Sequence, residues 1–470
     1  MGLVAVVVLV IFFSAVGKED KSKMKPVMCA GGNGTLRRIS REAYDYWSRV
    51  NPKAERSLVI MLGDGYGPDV HSMSRSVMRK MLGNESYRLP LDDFLVGTSI
   101  TSALGNVITD SAAGATAYAN GVKTVNGAIG VEPADLSEHG VRKCADSLGG
   151  TKKTPDCPVA DQTSCCPLKR IANAFEGCRA KGMATGLVVL FAQAARQNKV
   201  VFQSFLLNSV KEEAKSRSSS ETGDSVVKRE MTEAALTRLK ATGKKFCLMV
   251  EGSRIDHALH GNDAAGAAFD TFAYNDAFEA VNRFIEAERT SGHEIEVISV
   301  ADHSCGGITT GMQTNWQPKF SQPICLPGGS CQVQIGTSAY GTTDGWTPEV
   351  LARARISLPQ LSAQVCCNQT LRKSFPSVLA RIQDELGISP SSEDQANFQQ
   401  AASRVAFTTA SHTSVDINVY ASWDIQDRFR GSNENDEIGR RIIREVLELD
   451  SSVMDPISQA LEECQVPVVP

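Results

Sequence analysis

Continuous runs of apolar residues recur along the chain, and each run stops at small, polar or charged residues. The clearest runs are residues 57–62, 184–190, 245–250 and 295–301, followed by a strand-like segment at 415–420. An unbroken apolar run of this length is typical of a strand that is buried on both faces of a parallel sheet. The pattern therefore predicts an α/β fold with candidate site residues at the strand ends.

Ser111 is predicted to lie at the N-terminus of a helix. It follows the apolar residues Val107 and Ile108, which indicate the end of a strand, and precedes small, helix-compatible residues at 112–117. A helix N-terminus favours an anion because it presents unpaired backbone N–H groups and the positive end of the helix dipole. Ser111 would then face a phosphate or its own alkoxide, and a simple helix cap is the alternative.

Asp64 comes directly after the run at 57–62. It lies between Gly63 and Gly65, which allow the backbone to approach a ligand closely. In open α/β sheets, ligands bind beyond the carboxyl ends of the parallel strands. Asp64 is therefore a candidate ligand, and an ordinary Asp-Gly turn is the alternative.

The segment after the run at 245–250 contains Asp256 and His260, which are four residues apart. On a helix these two side chains share a face and can bind one metal ion together, whereas His257 would point elsewhere. An exposed hydrogen-bonded pair is the alternative.

Two further segments place histidines beside strand ends. Asp302 and His303 follow the run at 295–301, where both side chains can reach one ion, and His412 lies among small residues. The chain has seven histidines, and His260, His303 and His412 all belong to these segments. Histidines scattered through a core would not be expected to follow strand ends in this way.

Composition indicates a globular protein. The 470 residues are 42% hydrophobic and 22% charged, which suits a sizeable core in one large α/β domain or two smaller ones. The net charge of -4 and the isoelectric point near 6.1 provide no basic field. Nucleic acid is therefore not expected as a dedicated partner.

The N-terminal segment is uncharged and apolar as far as Gly17. A run of this length is short for a membrane span and suits a signal peptide, with Ala15 and Gly17 as the small residues of a cleavage site. We expect a secreted protein. The alternative is a protein that stays anchored in the membrane by the uncleaved segment. The expected organisation is a signal peptide or anchor at 1–17, a lead-in at 18–55 that includes a helix, and one domain at 56–470.

Thirteen cysteines fit an oxidising compartment. A cysteine-rich loop is expected from about 144 to 166, then a helix near 168–181. The sequence contains no CxxC spacing, so a cysteine zinc cluster is not expected. We therefore expect disulfides, and the odd number leaves at least one thiol unpaired in a monomer. Glycosylation sequons agree with this compartment, and they lie at Asn33, Asn84 and Asn368.

Together these segments resemble the alkaline phosphatase family, in particular its eukaryotic, fungal-like branch. The similarity covers residues 55–190 and 229–310 and extends thinly to about 422. It implies a metal-dependent phosphomonoesterase with an α/β fold, a three-layer sandwich around a mainly parallel central sheet. The matching motifs, in the family's order, are Gly63-Asp64-Gly65 and residues 109–117, 126–131, 250–257, 301–303 and 411–413.

The resemblance also implies two Zn²⁺ ions and one Mg²⁺ ion. One zinc would be bound by Asp256, His260 and His412; the other by Asp64, Asp302, His303 and Ser111; and the magnesium by Asp64 and Glu251. Ser111 would be the nucleophile and form a phosphoserine intermediate. Zinc and the helix N-terminus together make an alkoxide available near neutral pH, and paired zinc ions stabilise the attacking and leaving oxygens.

The chain departs from the family after residue 190. The family continues with a Thr/Ser-rich stretch that gives magnesium a hydroxyl ligand, and then with an arginine that clamps the substrate phosphate. Residues 191–197 contain no such motif, and the polar segment at 191–228 is several dozen residues shorter than in the family. Arg196 is the arginine nearest the expected place, and losing such a clamp typically costs a few kcal/mol of transition-state binding.

Three functional hypotheses follow. The first is a secreted alkaline phosphatase that acts on small-molecule phosphate monoesters, and the resemblance makes a homodimer an additional expectation. The second is a related phosphodiesterase. The third is a catalytically impaired, zinc-binding protein of the same fold, because the phosphate-clamping arginine and the magnesium hydroxyl are missing.

Overall fold

The computed structural model describes residues 41–51, 53–148, 166–189, 223–310, 324–325, 331–332, 348–352, 354 and 405–463. Several predictions lie outside these residues: the signal segment at 1–17, Arg196, most of the shortened 191–228 segment, and the sequons at Asn33 and Asn368.

The strands, numbered in chain order, are β1 (Ser57–Leu62), β2 (Leu95–Ile100), β3 (Val131–Pro133), β4 (Leu168–Arg170), β5 (Ala184–Val189), β6 (Phe246–Glu251), β7 (Ile295–Val300), β8 (Ser304–Cys305), β9 (Ile308–Thr309), β10 (Ile324–Cys325), β11 (Cys331–Gln332), β12 (Ala406–Phe407), β13 (His412–Thr413), β14 (Ile417–Ala421) and β15 (Gly431–Glu434).

The α-helices are α1 (Arg41–Val50), α2 (Pro68–Leu82), α3 (Ser111–Asn120), α4 (Glu138–Leu148), α5 (Ala174–Ala180), α6 (Gly223–Lys240), α7 (Arg254–His260), α8 (Ala264–Arg289), α9 (Glu349–Ala352), α10 (Asn435–Arg441) and α11 (Ser451–Glu463). Short 3-10 helices cover Pro90–Phe94 and Gln426–Phe429, and a π-helix covers Ile442–Val446.

A mainly parallel sheet of seven strands forms the centre, in the order β15-β2-β14-β7-β1-β6-β5. Strand β1 is parallel to β6 and β7, and β5 is parallel to β6. Strand β14 is antiparallel to both of its neighbours, β7 and β2. Strands β1 and β7 are buried along their whole length, as expected for apolar strands with both faces covered.

Helices flank this sheet, so the predicted α/β sandwich is confirmed. The long helix α8 packs against α6, α2 and β7, and α10 packs against α3. The sequence of α8 allows this close packing, because its buried residues combine small side chains, such as Ala267, Ala273 and Ala277, with the rings of Phe272 and Phe278.

Some local predictions were wrong. Val107 and Ile108 do not end a strand: Val107 is 73% exposed, and the chain turns there through a bridge between Ala103 and Asn106. The expected helix near 168–181 begins only at Ala174, after a capping box formed by Asn173 and Glu176, because residues 168–170 pair with β3 instead. The segment from 144, expected as a loop, is helical as far as Leu148, the end of α4, and residues 149–165 lie outside the described part of the chain.

The prediction of disulfides is confirmed for two pairs. One bond joins Cys144 in α4 to Cys166 just before β4, and the other joins Cys178 in α5 to Cys247 in β6. Cys305 is buried and belongs to no disulfide. No helix within the described residues combines the length and the apolar character needed to cross a membrane.

Candidate metal centre

The candidate site lies at the carboxyl ends of the three central strands. Leu62 at the end of β1 pairs with Glu251 at the end of β6 and with Val300 at the end of β7. Asp64 and Asp302 therefore follow strand ends that are level with each other. The backbone N–H of Gly65 donates to Oδ1 of Asp302 at 3.2 Å, which ties the two loops together.

Two glycines bring the surrounding elements close to these carboxylates. Gly65 has a φ of +70°, and a Cβ there would lie 2.8 Å from Cα of Asp256 in α7. A Cβ on Gly114 in α3 would lie 2.9 Å from the carbonyl oxygen of Asp302. The absence of both side chains lets α7 and the first turn of α3 approach the loops after β1 and β7.

Ser111 begins α3, as predicted, and its position is fixed by the residue before it. Asp110 is the N-cap, and its Oδ1 accepts a hydrogen bond from the N–H of Ala113 at 2.8 Å. The N–H of Asp110 donates to Oδ1 of Asn126 at 3.0 Å. Held in this way, Oγ of Ser111 lies 3.0 Å from Nε2 of His303.

Asp256, His260 and His412 form a first cluster. Asp256 and His260 share a face of α7, as predicted, and Nε2 of His260 lies 3.1 Å from Oδ2 of Asp256. Nε2 of His412 lies 3.1 Å from Nε2 of His260 and 3.7 Å from Oδ1 of Asp256. These imidazole and carboxylate atoms are the donors that zinc binds in proteins.

Backbone carbonyls fix the orientation of both imidazoles. Nδ1 of His260 donates to the carbonyl oxygen of Ala410 at 2.8 Å, and Nδ1 of His412 donates to that of Thr109 at 2.9 Å. With a proton on each Nδ1, the Nε2 atoms of the two rings face each other. The hydrogen bond to Asp256 raises the pKa of His260 to about 9, so a proton on its Nε2 relieves this contact, and a cation between the rings would do the same.

Asp64, Asp302 and His303 form a second cluster around Nε2 of His303. This atom lies 3.6 Å from Oδ1 of Asp64 and 3.3 Å from Oδ2 of Asp302, on the same side as Ser111. The ring of His303 stacks on that of His412 with 3.5 Å between their centroids, so the two clusters adjoin.

Burial and neighbouring charges determine the pKa values of the carboxyl groups in the site. Burial, together with the charges of Asp302 and Asp256, raises the pKa of Asp64 well above its usual range. Burial and the charge of Asp302 raise the pKa of Glu251 to about 7. Asp256 differs: although burial opposes its ionisation, the hydrogen bond from His260 and the proximity of His303 lower its pKa to about 2.

The residues fit divalent cations. Within the described part of the chain, Oδ1 of Asp64, Oδ1 of Asp256 and Nδ1 of His303 are buried and have no hydrogen-bond partner. Buried polar atoms in folded proteins are normally paired, and three unpaired donor atoms in adjoining clusters are what a metal-binding site requires. The crowded carboxylates and facing imidazoles are the donor types of zinc and magnesium sites.

The structure thus brings together the predicted residues that it describes: Ser111, Asp64, Glu251, Asp256, His260, Asp302, His303 and His412. His257 points elsewhere, as predicted, and its Nδ1 lies 2.7 Å from the guanidinium of Arg254. The predicted phosphate clamp, Arg196, lies outside the described residues.

Sequence reasoning missed Cys305 and the bracing role of Asn126. Sγ of Cys305 and one donor atom each from Asp256, His260 and His412 all lie within 4.8 Å of one another. The position of Cys305 two residues after His303 was the available signal. Its proximity to His412, however, depends on pairing between two-residue strands, which periodicity does not reveal.

Comparisons with known proteins agree with this geometry. The family model described as alkaline phosphatase matches residues 55–194 and 208–449, and the interval between them contains Arg196. Alkaline phosphatase of Schizosaccharomyces pombe is 26% identical over 464 residues, covering 84% of this chain and 81% of that protein. Repressible alkaline phosphatase of Saccharomyces cerevisiae is 25% identical over 541 residues, covering 93% and 88% respectively.

A solved structure supports the fold. The cold-active alkaline phosphatase from a Shewanella species has a TM-score of 0.55 and 19% identity, and the match covers 83% of this chain and 100% of that chain.

Proposed function

Because this chain belongs to the alkaline phosphatase family, with relatives in its fungal branch, we propose that it hydrolyses small-molecule phosphate monoesters through a phosphoserine intermediate at Ser111. The observation that carries the proposal is the position of Ser111. Its Oγ stands at a helix N-terminus, 3.0 Å from Nε2 of His303, beside clustered metal-ligand side chains.

The proposed cofactors are two zinc ions and one magnesium ion. Asp256, His260 and His412 would hold one zinc; Asp64, Ser111, Asp302 and His303 the other; Asp64 and Glu251 the magnesium. When bound, these ions supply Lewis acidity that favours the serine alkoxide and offsets charge on the attacking and leaving oxygens. The buried, crowded carboxylates and the unpartnered donor atoms support this assignment.

In the proposed reaction, Ser111 gives up its hydroxyl proton to solvent and its Oγ attacks phosphorus. The bond between phosphorus and the ester oxygen breaks as the bond to Oγ forms, and the leaving alkoxide takes a proton from water to become the alcohol. Water then attacks the phosphoserine, phosphate leaves, and Ser111 regains a proton. The N-terminal end of α3 faces the phosphoryl oxygens with the positive end of its dipole, and Asp110 and Asn126 hold that end in place.

A catalytically impaired, zinc-binding protein is the second candidate. The family match is interrupted at 195–207, and residues 191–197 show no motif of the kind that the resemblance implies for the magnesium hydroxyl ligand and the phosphate-clamping arginine. An unclamped phosphate loses a charge-assisted bidentate contact, which lowers transition-state binding.

We further infer that the protein is secreted and glycosylated. Two disulfides suit an oxidising compartment, and Asn84, in an Asn-Glu-Ser sequon, is exposed. A shift in mass after treatment with a glycosidase, reduced by one glycan in Asn84→Gln, tests the modification at this position. Dimerisation and attachment through an uncleaved N-terminal segment stay predictions.

The test of the proposed reaction is hydrolysis of p-nitrophenyl phosphate at alkaline pH with zinc and magnesium present. We expect turnover by the wild type, its loss in Ser111→Ala, and no change in Ser72→Ala, which alters an exposed serine of α2. Acid quenching during turnover should trap phosphate on the peptide that contains Ser111.

Each alternative gives a different result. Faster hydrolysis of bis(p-nitrophenyl) phosphate than of the monoester would favour a phosphodiesterase. A folded, zinc-loaded wild type without turnover on either ester would overturn the proposed activity and support the impaired protein.

A further inference from the structure

Cys305 lies beside the first cluster because of how its strand pairs. Strand β8 is antiparallel to β13, and in this register Cys305 is directly opposite His412. Helix α7, which carries Asp256 and His260, packs against the same strand. Cys305 itself is buried and belongs to no disulfide.

The donor atoms of these four residues surround a common space. Sγ of Cys305, a carboxylate oxygen of Asp256 and a ring nitrogen each of His260 and His412 are all within 4.8 Å of one another. A second observation points to a ligand there. Oδ1 of Asp256 has no hydrogen-bond partner among the described residues, and Asp256 is only 5% exposed, so water does not replace that partner.

We propose that Sγ of Cys305 binds the same zinc ion as Asp256, His260 and His412. This proposal rests on the proposed function, since it adds a sulfur ligand to one of its two zinc sites. As the metal enters, the S–H bond breaks, a bond between sulfur and zinc forms, and the proton passes to solvent. No oxidation is involved, and the zinc stays divalent.

The donor set suits zinc. One sulfur, two imidazole nitrogens and one carboxylate oxygen make a tetrahedral set of ordinary zinc ligands. Thiolate binding also selects zinc over magnesium, which prefers oxygen ligands. A metal with four protein ligands accepts a further oxygen only by expanding its coordination, so this site should retain its metal more tightly than a site with three.

X-ray absorption at the zinc edge tests the proposal on the unmodified protein. In the zinc-loaded wild type we expect a sulfur scatterer at about 2.3 Å, in addition to nitrogen and oxygen scatterers at about 2.0–2.2 Å. The sulfur scatterer should disappear in Cys305→Ser. A zinc shell with nitrogen and oxygen alone in the wild type would overturn the proposal, as would sulfur scattering that persists in Cys305→Ser.

Substitution with Co²⁺ separates failure of this proposal from failure of the proposed metal sites. We expect visible bands from bound cobalt together with a near-ultraviolet charge-transfer band from sulfur to cobalt, and the latter should vanish in Cys305→Ser. Cobalt bound without the charge-transfer band would overturn the role of Cys305 and leave the metal site intact. Failure of the folded protein to bind cobalt or zinc would overturn both.

Zinc affinity provides a further readout that does not depend on catalysis. Outer partners of metal ligands typically contribute 10–100-fold to metal affinity, so loss of a direct ligand in Cys305→Ser should cost roughly 100-fold. Competition with a chromophoric chelator measures this change, and circular dichroism checks the fold. Unchanged affinity in a folded Cys305→Ser protein would contradict the proposal. If that variant does not fold, the wild-type absorption spectrum decides alone.

Discussion

Substitution of Glu251 should change the free energy of unfolding in opposite directions with and without bound metal. It is buried close to the carboxylates of Asp302 and Asp64, and like charges repel there in the absence of a cation. In chelator-treated protein we expect Glu251→Gln to raise the free energy of unfolding by roughly 1–3 kcal/mol. With saturating Mg²⁺ the order should reverse, because the variant lacks a magnesium ligand.

Urea unfolding in chelator and in excess Mg²⁺ measures both effects. Glu286→Gln, on the exposed side of α8, is the matched control and should change neither value appreciably. The same sign of change under both conditions would argue against a magnesium role for Glu251.

At the residue scale, what the sequence could predict depended on how local the signal was. Asp256 and His260 could be paired from their spacing alone, because a helical turn fixes their relation. Asp64 and Asp302 could be predicted because each follows an apolar strand. Cys305 could not, since its neighbours come from other parts of the chain and are brought to it by β13 and α7.

At the scale of elements, the loop after α3 should affect catalysis without contacting metal ligands. Asn126 accepts from the N–H of Asp110 and donates to the carbonyl oxygen of Ile108, which fixes the start of α3. We expect Asn126→Ala to lower kcat by roughly 10–100-fold, because small displacements of a reacting group are costly. Zinc content should stay unchanged. Asn282→Ala, on the exposed surface of α8, is the control.

Phosphatase assays and metal analysis of Asn126→Ala distinguish positioning from metal loss. A fall in activity that follows a fall in bound zinc would refute the positioning role of this loop.

Asp92 connects α2 with the 3-10 helix Pro90–Phe94, and its ionisation makes the stability of the fold depend on pH in the acid range. Its Oδ1 accepts hydrogen bonds from His71 and Arg75 at 2.7 and 2.5 Å. Although burial opposes ionisation, these partners lower its pKa to about 2 from the usual 3.8. The lowered pKa means that the stabilisation is complete above about pH 3.8 and is lost as the pH falls towards 2.

We therefore expect the wild type to lose more stability than Asp92→Asn between these two pH values. Thermal unfolding across this range measures the difference. Asp93→Asn, at the neighbouring exposed position, should keep the wild-type pH dependence. If the unfolding temperatures of the wild type and Asp92→Asn fall in parallel with pH, the ionised carboxylate contributes nothing to stability.

Buried strands could be predicted because their sequences are continuously apolar. Elements that form only by pairing with a distant segment could not be predicted in this way. Strands β1, β6 and β7 follow directly from their apolar runs. The short strand at 168–170 depends on its partner β3, which lies 35 or more residues earlier in the sequence. The true start of α5, by contrast, carried a sequence signal in the capping box of Asn173 and Glu176.

At the scale of the whole molecule, the order of strands required the structure. Apolar runs indicate buried strands but not their neighbours, and β14 is inserted antiparallel between β7 and β2. This insertion brings the segment containing His412 back to the site from far along the chain. The candidate ligand residues could therefore be named from the family resemblance, whereas their assembly at one place depends on long-range pairing that local patterns do not encode.

The two disulfides differ in what they stabilise. Cys178 and Cys247 join α5 to β6 within the main core, across 69 residues of sequence. Cys144 and Cys166 are 22 residues apart and belong to a small separate cluster with Val125 and Ala128. Loop-closure entropy alone predicts a contribution of about 4 kcal/mol for the first bond and about 3 kcal/mol for the second.

The double variant Cys178→Ala/Cys247→Ala should therefore lose more stability than Cys144→Ala/Cys166→Ala, and loss of packing in the main core widens the difference. Urea unfolding of both variants at equal zinc and magnesium concentrations measures this order. The reverse order would show that the small cluster, rather than the α5–β6 bond, limits unfolding. Because β6 ends at Glu251 and leads into α7, weakening the first bond should also lower zinc retention at temperatures below unfolding, whereas loss of the second should not.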